Sequence, residues 1–129
     1  MFVGVSRLVL HLPGNNSLKG KRSIVRGVID RTKAKFGVSI AEVGDNDVLR
    51  RAVIGVAVIS NSSAHVSSML NHVSAFIERL GLAPVASIET DVIPIGDELK
   101  QRGIAEPIPS EPSGFLRGDV DDVEEEEQW

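Results

Sequence analysis

The chain has 129 residues, of which 42% are hydrophobic, 25% charged and 4% aromatic, the makings of one small soluble domain and too little for a multidomain enzyme. It contains no cysteine, which excludes disulfide staples, thiolate metal sites and cysteine nucleophiles. The formal charge of -4 is unevenly spread: residues 1–103 carry 13 Lys and Arg against 9 Asp and Glu, a net of +4, while residues 104–129 carry 1 against 9, a net of -8.

Met1 to Arg7 show no basic end leading into a long apolar stretch, and no later apolar run approaches membrane-spanning length; the expectation is a cytoplasmic protein with no membrane partner. Phe2 to Leu12 is rich in Val and Leu and stops at Pro13-Gly14-Asn15-Asn16, which predicts a strand followed by a turn. Ser17 is placed to cap a helix in which Val25, Val28, Ile29, Thr32 and Phe36 share one face until Gly37. Val38 to Val43 and Arg51 to Ser60 read as two strands joined through Gly44-Asp45-Asn46-Asp47, residues that supply turn conformations. A second amphipathic helix carries Val66, Met69, Leu70, Val73, Phe76, Ile77 and Leu80 and ends at Gly81. The last strand runs from about Val85 to Ile93 between Pro84 and Pro94.

The order βαββαβ with right-handed crossovers predicts a ferredoxin-like α+β sandwich, an antiparallel sheet of spatial order 4-1-3-2 with two helices on one face. Its folded domain is expected to span residues 1–103. The proline-bearing stretch from Glu106 to Gly114 then opens an acidic, disordered tail, residues 104–129, that ends in the run Glu124 to Glu127. Two helices cover one sheet face only. Val3, Val5 and Val9 alternate with Phe2, Leu8 and Leu10, and Val53, Ala57 and Ile59 with Ile54, Val56 and Val58, so both central strands are apolar on both sides. A covered outer face, and hence a protein interface, is expected.

The first helix concentrates base: Lys19, Lys21, Arg22, Arg26, Arg31, Lys33 and Lys35 against Asp30 alone. At 100° per residue Lys19, Arg22, Arg26 and Lys33 fall in one stripe about 21 Å long. A row of cations of that length matches several phosphate spacings and binds through counterion release; Arg50 and Arg51 could extend it. The nucleic-acid or anion-binding candidates are therefore Lys19, Lys21, Arg22, Arg26 and Lys33, weighed against a merely solvated helix face. The loop from Pro13 to Arg22 fails the nucleotide-hydrolase spacing, because Lys19 stands where a second glycine is needed and Arg22 where a hydroxyl would bind magnesium. The third strand, Ala52 to Val58, offers no aromatic platform for stacking bases. His65 and His72 lack convincing further metal ligands, and Glu42, Asp45 and Asp47 fit turn capping or pairing with Arg50 and Arg51 better than a calcium loop. No catalytic set, metal or cofactor is expected.

His11-Leu12-Pro13-Gly14, Ser17 to Arg22, Ala41 to Asp45 and Arg51 to Val58 together resemble the YlxP-like family of small bacterial proteins, over approximately residues 1–95. That resemblance implies a ferredoxin-like fold and, from the translation-initiation and ribosome-maturation genes that often neighbour the family's own, a ribosomal or RNA partner. It transfers no catalytic residues, and the acidic tail departs from the usual short pattern. The expectation is thus a non-enzymatic protein that binds structured RNA or a ribosomal particle through the first helix. Its rival is a homo-oligomer or partner-binding module that uses the outer sheet face. On the first expectation the acidic tail competes with phosphates for the helix and acts as an electrostatic brake.

Overall fold

The computed structural model describes residues 1–96. Six elements follow in chain order: β1 (Phe2–His11), α1 (Leu18–Lys35), β2 (Ser39–Gly44), β3 (Arg51–Ser60), α2 (Ser63–Leu80) and β4 (Val85–Pro94). The strands pair antiparallel in one sheet of order β2-β3-β1-β4, the expected 4-1-3-2 order read from its other edge. The protein has the ferredoxin-like α+β fold. The expected boundary after Gly103 and the acidic tail lie outside the described residues.

Local chemistry sets the ends of both helices. The Ser17 hydroxyl accepts from the Gly20 amide at 2.9 Å and the Ser62 hydroxyl from the His65 amide at 3.2 Å, each satisfying an amide that the first helical turn leaves without a carbonyl. α2 stops at Gly81, whose φ of 68° is left-handed, a conformation glycine adopts without steric penalty. Along α2 the fully covered residues are Val66, Leu70, Val73 and Ile77, spaced four, three and four apart on one face.

That face packs on the sheet. Leu8 and Leu10 of β1, Ile40 of β2, and Ile54, Val56 and Val58 of β3 form one core with Val25 and Val28 of α1 and the buried row of α2. Gly4 marks the closest approach of helix and strand, since a Cβ there would overlap Val66 and come within 2.8 Å of Leu70. Side chains alternate along strands, so the β1–β3 register puts Val3, Val5 and Val9 with Val53, Ala57 and Ile59 on the opposite face. On that face Val5 is 37% and Ile59 68% exposed.

Candidate nucleic-acid interface

The seven bases of α1 divide by what each side chain touches. Lys21 is four, seven and eleven residues before Val25, Val28 and Thr32, which sets all four on one helical face, and these four are the buried residues of α1. Its ammonium donates to the backbone carbonyls of Asp45 and, at 2.8 Å, of Val48 in the β2–β3 turn. It also lies 3.1 Å from the Glu42 carboxylate. With 1% of its surface exposed, Lys21 is turned away from any phosphate. This corrects its place among the candidate binding residues: it is a tie between α1 and the β2–β3 hairpin, because a buried ammonium must be paired and hydrogen-bonded.

Two further bases have local partners. Arg31 donates to the Gly27 carbonyl of its own helix at 3.3 Å. The Lys35 ammonium sits 5.4 Å from the ring centre of Phe76, which itself meets Phe36 edge to face, a cation–π geometry across the two helices. Lys19, Arg22, Arg26 and Lys33 remain. All four are exposed, and among the described residues none has a side-chain hydrogen bond or ion pair. They are the four that helical geometry aligns in one stripe.

The neighbouring loop and hairpin are laced to the start of this stripe. Asn15 donates to the Leu49 carbonyl at 2.6 Å and to the Ser17 carbonyl at 2.9 Å, and the Leu12 amide donates to the Arg50 carbonyl at 3.0 Å. Arg50 returns the contact, its Nε donating to the Asn15 carbonyl at 3.0 Å, which holds an exposed guanidinium beside the N-terminal end of α1. Arg51 goes elsewhere: it pairs with Asp45 at 2.8 Å. Of the two arginines expected to extend the patch, the structure brings Arg50 to it and ties Arg51 to the turn. The Gly20 amide is already taken by Ser17, so the helix start is capped from within.

A groove of about 310 Å³ runs beside the stripe, lined by Arg22, Val25, Arg26, Ile29, Asp30 and Glu42. Sequence reasoning assigned Glu42 to the hairpin turn and missed it as a groove residue. The signal was available: Lys21 continues the apolar spacing of α1, so it needed an inward-facing acid on a neighbouring strand. Glu42 faces inward with Ile40 by strand alternation. Its Oε2 is buried against Lys21 yet accepts no hydrogen bond there, because the ammonium's geometry serves the two carbonyls.

Among the described residues no group of three His, Asp or Glu is placed to hold a metal ion, and no helix is long and apolar enough to cross a membrane.

A family model described as "Protein of unknown function (DUF503)" matches residues 3–90, from β1 into β4. The chain belongs to this family. It is 39% identical over 62 residues to "Uncharacterized protein YlxP" of Bacillus subtilis (strain 168), a match spanning 48% of this chain and 67% of the relative; the resemblance to the YlxP-like family holds. Two solved structures are similar to this chain at low identity. One is a de novo designed protein with ferredoxin fold, at a TM-score of 0.49 and 14% identity over 86% of this chain and 96% of the other. The other is a REP-associated tyrosine transposase bound to a REP hairpin, at a TM-score of 0.41 and 11% identity over 78% of this chain and 61% of the other.

Proposed function

We propose that this is a cytoplasmic, non-catalytic protein that binds structured RNA, free or within a ribosomal particle, along the exposed face of α1. One observation carries the reading: Lys19, Arg22, Arg26 and Lys33 form an exposed row about 21 Å long with no ion-pair partner among the described residues. An ordinary solvated helix face carries acids and bases in similar number, whereas here Asp30, four residues after Arg26 and three before Lys33, is the one acid of α1. Arg50 lengthens the row at its N-terminal end through its bond to Asn15. A row of this kind reads phosphates and helical shape rather than base sequence. Binding by counterion release is steeply salt-dependent.

Cofractionation with ribosomes at low and high salt tests the partner. Lys19→Ala, Arg22→Ala and Arg26→Ala combined tests the site: affinity for a structured RNA falls across sequences, and the slope of log affinity against log salt flattens by about three. Unchanged affinity and slope would sink this site.

A second reading is favoured by the outer sheet face, where, among the described residues, Val9 and Val53 are buried but Val5 and Ile59 are exposed. Val5, Ala41, Val43, Gly55 and Ala57 line a shallow apolar depression of about 300 Å³ there, with Ile59 standing out beside it. Such a face suits a second protein surface or a second copy of this chain. If copies associate through it, light scattering reports an oligomer that Val5→Asp returns to monomer. A monomer at all accessible concentrations removes the self-association reading.

A further inference from the structure

A row of cations explains affinity for phosphate but not the groove beside it or the strand that borders the groove. We propose that the groove between α1 and β2 takes an extended acidic segment of a partner protein, which adds to the sheet along β2 and sets two acids against Arg22 and Arg26 and an apolar side chain against Ile29. The inference goes beyond the RNA reading. Because Arg22 and Arg26 serve both ligands, peptide and RNA exclude one another.

The free edge comes first. β2 is the end strand of the order β2-β3-β1-β4, and among the described residues it pairs with β3 alone. In an antiparallel pair, alternate residues turn both backbone groups toward the partner strand, and the residues between them turn theirs away. Half of β2, Ser39–Gly44, therefore presents its N–H and C=O groups outward, where a second extended chain can complete them. No proline or lysine stands on β2 to blunt that edge.

The lining of the groove selects the segment. Val25 and Ile29 form its apolar wall and Arg22 and Arg26 its basic side. Glu42 also lines it, but one oxygen is buried 3.1 Å from Lys21, so its charge is offset from within the protein. Asp30 is the remaining acid of the lining, set against the exposed Lys19, Arg22, Arg26 and Lys33 of the same helix, and the balance favours an acidic ligand. Arg22 and Arg26 stand about 6 Å apart along the axis at 1.5 Å per residue. Side chains on one face of a strand recur about every 6.7 Å. A strand laid along α1 thus sets acids at positions i and i+2 opposite the two arginines. Position i+4, about 13 Å from the first acid, comes beside Ile29, about 10.5 Å along the helix from Arg22. A nucleic-acid backbone has no groups that continue a β-ladder, so the edge and the apolar wall favour a peptide over a further stretch of RNA.

The test titrates the full-length chain with the end-blocked peptide Thr-Glu-Thr-Glu-Thr-Val-Thr, read by amide chemical shifts. Its two Glu and its Val share one face of a strand. Two further peptides keep the sequence and charge and carry N-methyl groups, one on the Glu, Glu and Val amides and the other on the amides of the three Thr that follow them. Only one of these sets points at β2. Methylating it should weaken binding at least about tenfold, the effect of two or more lost main-chain hydrogen bonds, while the other set changes affinity far less. This comparison lies between peptides, so folding of the protein cannot confound it. Shifts are expected on α1 and β2. Arg22→Ala with Arg26→Ala, both at exposed positions, should weaken the parent peptide about 2- to 30-fold, the range for two surface ion pairs. Thr-Glu-Glu-Thr-Thr-Val-Thr, which keeps the charge and breaks the spacing, should bind more weakly than the parent. Equal affinities for the two methylated peptides, or for the parent and the respaced one, would overturn the proposal, as would indifference to the arginine changes, shifts centred elsewhere or no binding. A structured RNA added to the peptide complex separates the readings. Peptide binding without RNA binding rejects the RNA reading and leaves the groove standing, and RNA binding without peptide binding does the reverse. Both ligands bound at once would overturn their shared use of Arg22 and Arg26.

Discussion

Lys21→Met removes the buried ammonium while leaving an unbranched side chain of similar length in the same helical slot. The ammonium donates to the Asp45 and Val48 carbonyls and pairs with Glu42. Hydrogen bonds from a charged donor contribute about 1.5–3 kcal/mol each, so the two carbonyl contacts alone amount to roughly 3–6 kcal/mol. Against this, methionine avoids the desolvation cost of a cation whose side chain is 2% exposed, and its stem keeps the apolar contacts. Breaking a buried ion pair from one side costs about 3–5 kcal/mol; the low end applies because the orphaned Glu42, 19% exposed, regains some water. The expected loss is therefore about 3 kcal/mol, a fall in Tm of roughly 12–24 °C for a domain of about 100 residues. Urea unfolding followed by circular dichroism measures it. Glu42→Gln added to Lys21→Met should recover more than about 1 kcal/mol, because the pair is coupled. A loss below about 0.5 kcal/mol, the scale of an ordinary surface substitution, would refute the buried tie and return Lys21 to the phosphate-binding row.

Gly4→Ala should destabilise by about 1–3 kcal/mol through overpacking against Val66 and Leu70, and the paired change to Val66→Ala should recover part of it in the same unfolding assay; a neutral Gly4→Ala would show that α2 is not seated so closely on β1. Ending the chain at Gly103 removes the segment with a net charge of -8. If that segment competes for the α1 row, RNA affinity rises, most strongly at low salt where the Debye length is longest; equal affinities for the full and shortened chains across a salt series would reject the brake.

The order and kind of the elements were legible because each depends on short-range pattern. Val66, Leu70, Val73 and Ile77 announce a buried helical stripe, Ser17 caps an amide three residues on, and Gly81 meets the need for a left-handed residue. With four strands and two helices in that order, right-handed crossovers leave few sheets to choose from. The two-faced apolar character of β1 and β3 was equally readable, since a period of two assigns every residue to a face. The fate of the individual charges was not. A count of seven bases treats Lys21 and Lys33 alike, although one is buried in the core face and the other exposed. What separates them is the distance to groups far along the chain: carbonyls 24 and 27 residues away and an acid on β2 for Lys21, and a ring on α2 for Lys35. Arg50 and Arg51 are adjacent in sequence, yet Arg50, in the turn that leads into β3, reaches Asn15, and Arg51, the first residue of β3, reaches Asp45. Secondary structure and sheet order follow from periodicity and turn chemistry, which are local. Which cations face solvent, and which acid waits in the groove, follows from Coulomb and hydrogen-bond partners that only folding brings together.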